Sequence, residues 1–436
     1  MGSLPRSLLG VTPVEDLLTF VSAAPSPYHA VEEAARRLEA AGFAPLDLAG
    51  PWPATPGRFF VARDGALVAW SVPDDAGPDR RFRIAAAHTD SPNLRVKPRP
   101  DTGGWGWQQL AIEVYGGALW NSWLDRDLGL SGRVALHGDH GPEHRLVRID
   151  EPLLRIPQLA IHLDRDVNSG GLALNPQRHL TPVWGAGPVV EGVFGRFLAE
   201  RLDVDDRHIL AWDLMVHDLT APTRLGRDRE LVASARLDNL LSCWAAIEGL
   251  TASPAAPGRT PPVSVVCLFD HEEVGSTSAT AADGPLLTQV LERSVLARGG
   301  GREELLRALA GSACASADMA HATHPNYPER HEPGHHVTID GGPVLKVNAN
   351  QRYATDAGSA ALVVDACHVA GVPHQVFVGR NDQPCGSTIG PLTAARLGIP
   401  TADVGVAQLS MHSARELCGA DDPPRLTAAL GAFLTR

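Results

Sequence analysis

An α/β fold with a mainly parallel central sheet flanked by helices is what this sequence predicts, and three observations carry it. The first is Val263-Ser-Val-Val-Cys-Leu-Phe269, a β-branched run of strand length, followed by a loop with two adjacent carboxylates, Asp270-His-Glu-Glu-Val-Gly-Ser-Thr277. The second is that short apolar runs alternate with amphipathic segments of helix length, the pattern of a parallel sheet covered on both faces. The third is that several of these runs end in loops bearing His, Asp or Glu. Ligands of an open α/β sheet collect at the carboxyl ends of its strands.

In chain order, residues 13–23 and 29–42 read as helices separated by Pro25-Ser-Pro27, with Ala30, Val31, Ala34, Leu38 and Ala41 on one face of the second. Strands follow at Arg58–Val61 and Ala66–Val72, joined by an Asp-Gly turn, and at Arg83–Ala87, which ends in His88-Thr-Asp90. From about Lys97 to Arg229 the texture changes to short alternating segments, 110–115, 132–137, 145–149 and 158–163, between Gly-, Pro- and Asp-rich turns. A helix at 189–202 and a strand at 208–217 close the region. This reads as a mostly β domain, 97–229, inserted into an α/β domain made of 1–96 and 230–436.

After the insertion, a helix opens at Arg236-Leu-Asp238 with Asp238 in its first turn, where the helix dipole favours an acid. A loop is expected at 254–262 and helices at 286–297 and 303–310. The small-residue run 312–317 then leads to Asp318. Strands at 344–347 and 374–378, helices at 359–370 and 388–397, and a strand at 402–406 leading to His412 complete the alternation.

Bulk composition narrows the function. The 436 residues are 44% hydrophobic and 20% charged, a globular balance, and the net charge of −12 argues against sequence-independent binding to nucleic acid or an anionic membrane. Six scattered cysteines without a Cys-x-x-Cys pair favour free thiols in a reducing compartment. With no secretory leader or membrane-spanning run read in the sequence, a cytoplasmic protein is expected.

The residues at the strand and helix ends, His88, Asp90, Asp238, Glu272, Glu273, Asp318 and His412, mix imidazole and carboxylate. That set suits Zn²⁺, with Mn²⁺ or Co²⁺ as other candidates. A shared carboxylate with a His and an acid on each side is the pattern of a two-metal hydrolase. Asp90 is placed either to take the other ring N–H of His88 or to brace the site from behind its ligands.

The segments His88-Thr-Asp-Ser-Pro92, Arg236-Leu-Asp-Asn-Leu240, Asp270–Ser276, Ser316-Ala-Asp-Met-Ala-His321, Lys346–Tyr353 and Met411-His-Ser-Ala-Arg-Glu416 closely resemble the aspartyl aminopeptidase family. Gly116–Trp120, Asp125-Arg-Asp127 and Ile161-His-Leu163 match inside the insertion. The resemblance implies a zinc-exopeptidase-like fold whose inserted domain makes dimer contacts, and a twelve-subunit shell built from such dimers. It implies two zinc ions bridged by Asp238, with His88 and Asp318 on one and Glu273 and His412 on the other. Glu272 would then be the general base, taking a proton from the attacking water and returning it to the leaving amine. His321 and Tyr353 would contact the substrate and stabilise its transition state, and Lys346 would pair with an acidic side chain on the first residue of the peptide. His162 would serve a neighbouring subunit's site.

Other signals carry less. His331-Glu-Pro-Gly-His335 fits the H-E-x-x-H pattern, but that motif needs a helix and Pro-Gly breaks one. Gly299-Gly-Gly301 lacks the Lys of a phosphate loop, no Gly-x-Ser-x-Gly is present, and Cys385 reads as structural. The expected activity is therefore release of N-terminal residues, Asp or Glu foremost, from peptides. The competing readings are a broader dizinc aminopeptidase or deacylase and a self-assembling scaffold with structural zinc. A closed structural site has no use for the spare carboxylate Glu272.

Overall fold

The computed structural model describes residues 12–252 and 260–436. The reading of a leader-free start and most of the expected 254–262 loop fall outside the described residues. The chain packs as two units. The first comprises the described residues up to Asp90 together with Pro222–Met411 and Glu416–Arg436; the second comprises Ser91–Ala221 and His412–Arg415.

These limits differ from the expected 97–229 at both ends, for reasons of strand pairing. Asn93–Gly104 is one long strand that pairs with Trp107–Tyr115, so the second unit starts ahead of it. Thr223–Leu225 pairs with Leu231–Ser234, which pairs in turn with Glu416–Gly419, so those residues belong to the first.

The first unit is built on a nine-stranded sheet in the order Ala44–Pro45, Gly57–Arg63, Ala66–Val72, Val263–Phe269, Phe82–His88, Ala313–Ala317, Thr401–Gly405, Val344–Val347 and Gln375–Val378. The four strands from Val263–Phe269 to Thr401–Gly405 are mutually parallel. Ala66–Val72 and Val344–Val347 join them antiparallel. Alternate residues of the central strands enter opposite cores. Val266, Leu268, Ala85 and Ala87 pack with Phe20, Leu38, Leu240, Trp244 and Leu430 on one face. Val265, Cys267, Phe269 and Ile84 pack with Leu286, Val290 and Leu305 on the other. Each such fully buried aliphatic or aromatic side chain contributes about 1.5–3 kcal/mol relative to exposure, which is why these runs carry no polar face. A smaller sheet orders Thr223–Leu225, Leu231–Ser234, Glu416–Gly419, Ala407–Leu409 and Ala320–His321.

Helix Pro13–Ala23 begins where expected because Thr12 and Glu15 form a reciprocal cap. The second helix starts at Pro27, two residues earlier than the apolar period suggests; Ser26 caps it, and proline is pre-organised for the first helical position. The larger correction concerns Asp238. Leu237–Ala252 is helical beyond its entrance, but Asp238 and Asn239 have non-helical backbone, joined by a cis peptide bond. Asp238 therefore does not sit in a helical first turn.

The second unit is a six-stranded antiparallel sheet, in the order Gly141–Leu154, Leu128–Gly138, Ile209–Asp218, Asn93–Gly104, Trp107–Tyr115 and Val183–Ala186. Helix Val193–Leu202 buries Phe194 and Leu198 against its core. It starts at Val193 rather than at 189 because Gly192 before it is left-handed. The strand expected at 158–163 is irregular chain and turn. Leu159, Ile161 and Leu163 are 58, 47 and 75% exposed, so their alternation finds no apolar face within this unit. Among the described residues, no helix is long and apolar enough to cross a membrane.

Candidate metal centre

The parallel register delivers the site. His88 ends its strand level with Phe269 on the neighbouring one, so Glu272 and Glu273 emerge just beyond the same edge. Asp318 follows Ala317 on the strand at the other side of Phe82–His88. Asp238 comes from the non-helical entrance of Leu237–Ala252, and its backbone N–H donates to Glu416 Oε2 at 2.9 Å.

His88 is fully enclosed, and its Nδ1 is 3.0 Å from the backbone carbonyl of Asp90. A carbonyl only accepts, so Nδ1 carries the proton and Nε2 is the nitrogen turned to the site. That Nε2 lies 3.4 Å from Asp238 Oδ1 and 3.9 Å from Asp318 Oδ1. Around a tetrahedral zinc with bonds of about 2.1 Å, neighbouring ligand atoms stand roughly 3.4 Å apart. The donor set and its spacing therefore fit zinc. In the two groups His88–Asp238–Asp318 and His88–Glu272–Glu273, the ligand atoms all lie within 4.8 Å of one another.

Asp90 touches both His88 and the Glu272–Glu273 turn. Its carbonyl orients His88, while its carboxylate accepts from the backbone N–H of Glu272 and of Glu273, each at 3.1 Å. The short 3₁₀ turn Glu272–Val274 is thereby tied to the end of the 82–88 strand.

So much buried acid is held by protons and neighbouring cations. Burial raises Glu272 to about 8; His88 opposes the rise, and Asp318, Asp90 and Asp238 add to it. Burial and the charge of Asp238 push Glu273 far up as well. Burial works against charge on His88, but Asp238, Asp318 and Asp90 outweigh it and hold the ring protonated well above its usual range. Asp318 is the exception: burial would raise it, yet Lys346 and His88 hold it down at about 2.

A proton balance follows. Glu272 titrates near 8 in the folded chain against an ordinary 4.5. Between those values the folded state keeps a proton that the unfolded state has lost, so its contribution to stability falls as pH rises through that window. A bound cation would take the place of that proton. Zinc titrated into chelator-stripped protein at pH 7 will release protons to the buffer, and Glu272→Gln will release fewer. Calorimetry in two buffers of different ionisation heat measures this. Equal release from both proteins would remove Glu272 from this balance.

Lys346 is placed differently from an open specificity cation. It is 2% exposed, its Nζ donates to Met319 O at 3.0 Å, and it lies 3.5 Å from Asp318 Oδ2. It also stands 5.1 Å from the centre of the Tyr353 ring. Burial, then Cys385 and Asp318, push the Tyr353 hydroxyl far above its ordinary range, so it stays a neutral donor. His321 is exposed and packs on Phe377. His162 and His412 lie in the second unit. His162 is exposed on the 161–163 turn, not on a strand. His412 has its Nδ1 3.0 Å from Gly117 O, which by the same argument leaves Nε2 as the lone-pair nitrogen.

Among the buried acids that the sequence reading passed over, two, Glu416 and Asp403, bear on the candidate site residues. Glu416 closes a motif already singled out, and it holds the backbone of Asp238. Asp403 is a lone charge in the apolar strand Thr401–Gly405, which was the signal for it. Its carboxylate accepts from Ser316 Oγ at 2.7 Å, Thr388 Oγ1 at 2.6 Å and Ala354 N at 2.6 Å, fixing the chain just after Tyr353.

A family model described as aminopeptidase I zinc metalloprotease (M18) matches residues 20–434. A probable M18 family aminopeptidase 2 of Streptomyces coelicolor is 58% identical over 421 residues, 96% of this chain and 97% of that protein. Among solved structures, a chain in the cryo-EM structure of the Ape4 and Nbr1 complex superposes with a TM-score of 0.91 at 38% identity, covering 97% of this chain and 85% of that one. The mApe1 dodecamer of S. cerevesiae gives 0.83 at 27%, with 96% and 95% covered.

Proposed function

The chain belongs to the aminopeptidase I zinc metalloprotease (M18) family, and on that premise we propose that it is a two-zinc aminopeptidase that removes N-terminal residues, Asp or Glu foremost, from peptides. The observation that carries the two-metal reading is the acid cluster at the strand ends, with adjacent Glu272 and Glu273 held by one brace, Asp90.

In this reading His88 and Asp318 would hold one zinc, Glu273 and His412 would hold the other, and Asp238 would serve both. Zinc supplies Lewis-acid polarisation of the scissile carbonyl and makes water a stronger acid. Glu272 takes one proton from the attacking water and returns it to the departing amine as the C–N bond breaks, so it ends as it began. The neutral Tyr353 hydroxyl and His321 donate to oxygen as charge develops there. Asp90 and Glu416 act by position, on the Glu272–Glu273 turn and on Asp238.

Lys346 is the proposed partner of an acidic first side chain, and with the metals it offsets the −12 net charge locally. A second reading, a broader dizinc aminopeptidase, is favoured by one observation: Lys346 is buried and already engaged by Asp318. Hydrolysis of matched peptides beginning Asp, Glu, Leu and Lys, before and after chelation, decides between them. The expected result is chelator-sensitive cleavage led by Asp and Glu, with Lys346→Ala lowering the Asp/Leu ratio about tenfold or more. The ratio is the measure, because losing the Lys346–Asp318 contact slows every substrate. An unchanged ratio in Lys346→Ala means that the specificity lies elsewhere.

We also infer a cytoplasmic homo-oligomer, a dodecamer built from dimers. The exposed Leu159, Ile161 and Leu163 around His162 support a second copy as their partner, and a solved relative is described as a dodecamer.

A further inference from the structure

We propose that a pocket of about 130 Å³ beside Tyr353 receives the peptide residue that follows the scissile bond, and that Arg330 makes it prefer a carboxylate there. This rests on the aminopeptidase reading. The pocket is lined by His321, Tyr353, Phe377, Arg330, Arg380 and Cys385, among others. Phe377 packs 5.9 Å from the His321 ring and 6.3 Å from the Tyr353 ring, edge-on to the latter, so the three form one aromatic wall. The wall begins one side chain from the metal ligands, because the Tyr353 ring abuts Lys346 and Lys346 abuts Asp318. Asp403 braces it through Ala354 N.

Charge defines the other side. Arg380 is matched by a two-point contact with Asp382, at 2.7 and 2.6 Å. Glu332, a carboxylate of the lining, is occupied by His335 and the Gly334 N–H. Burial and the neighbouring His324 and His336 hold His331 below its usual range, so it is neutral at pH 7. Arg330 is exposed and makes no ion pair among the described residues. A guanidinium so placed matches a carboxylate with two parallel N–H donors. Lys346, the proposed partner of the first side chain, does not line this pocket. A peptide with its amino end at the metals therefore has its next residue to place here. The carboxylate is either the side chain of that residue or, in a dipeptide, its terminal group.

The test compares Asp-Leu-amide, Asp-Glu-amide and Asp-Leu with a free terminus, on zinc-loaded wild type and Arg330→Gln. Wild type is expected to favour each carboxylate-bearing peptide by about fivefold in kcat/KM over Asp-Leu-amide, with the ratio falling to near one in Arg330→Gln. The Glu arm reads the side-chain source and the free-terminus arm the α-carboxylate. A ratio that survives Arg330→Gln, or a change in preference for the first residue instead, overturns the proposal. A second readout uses Cys385, half-buried while the other five cysteines are buried. In zinc-loaded Glu272→Gln, Asp-Glu-amide should slow alkylation of Cys385 more than Asp-Leu-amide does; equal protection also overturns it. If wild type cleaves none of the three, the aminopeptidase reading fails, and Cys385 protection still decides the pocket.

Discussion

Glu272→Gln will lower kcat by about 10²–10⁴-fold while zinc content and fold are retained. The amide keeps the size and one acceptor oxygen of the carboxylate but cannot carry a proton between water and amine. Its backbone contact is untouched, because it is the Glu272 N–H, not the side chain, that Asp90 holds. The neighbouring ligand Glu273 is tied to Asp90 in the same way, so the turn keeps its shape. Steady-state kinetics with metal analysis on one preparation separates the two effects. A variant that binds zinc and still hydrolyses peptides at full rate would remove Glu272 as the base, whatever the fold. A variant that loses its metal would mean that Glu272 is a ligand.

Asp238→Asn should cost more than activity. As the proposed shared ligand, its carboxylate would offer both cations an oxygen carrying part of one negative charge, and an amide supplies no such charge. Both zinc ions should be lost or weakened, with kcat/KM falling by about 10³-fold or more. The Glu416 contact to the Asp238 N–H survives the change but the buried His88–Asp238 pair does not, so metal content, not the melt of metal-stripped protein, is the measure. Retention of two zincs per chain, by elemental analysis after dialysis, would assign the shared position to another carboxylate.

The strand Val263–Phe269 was legible because a continuous apolar run has one economical place, the middle of a covered sheet, and it lies there. The cluster of His88, Asp238, Glu272, Glu273 and Asp318 was legible for a related reason: strand ends in a parallel sheet share an edge. What the residues could not tell was decided by packing. An acid at an apparent helix start reads as a dipole partner, and no local signal distinguishes Asp238 from one. The alternation of Leu159, Ile161 and Leu163 looks like a strand, but within its own unit nothing covers it. That Lys346 is buried against Asp318 could not be read from its motif either, because burial is a property of the whole fold. The domain limits shifted because pairing partners, not composition, decide which side of a boundary a strand belongs to.

The sheet order also sets a timetable for synthesis. Val263–Phe269 lies between Ala66–Val72 and Phe82–His88 in space, yet it leaves the ribosome after the whole 91–221 unit. At about 5–20 residues per second, the early strands wait on the order of ten to thirty seconds for their middle neighbour. During that interval Ala66–Val72 and Phe82–His88 have an unfilled place between them, with apolar faces exposed. The second unit, continuous but for four residues, can fold while they wait. The nascent chain is therefore most open to aggregation or to chaperone capture before residue 269 emerges, with His88 and Asp238, two of the five proposed metal ligands, already made.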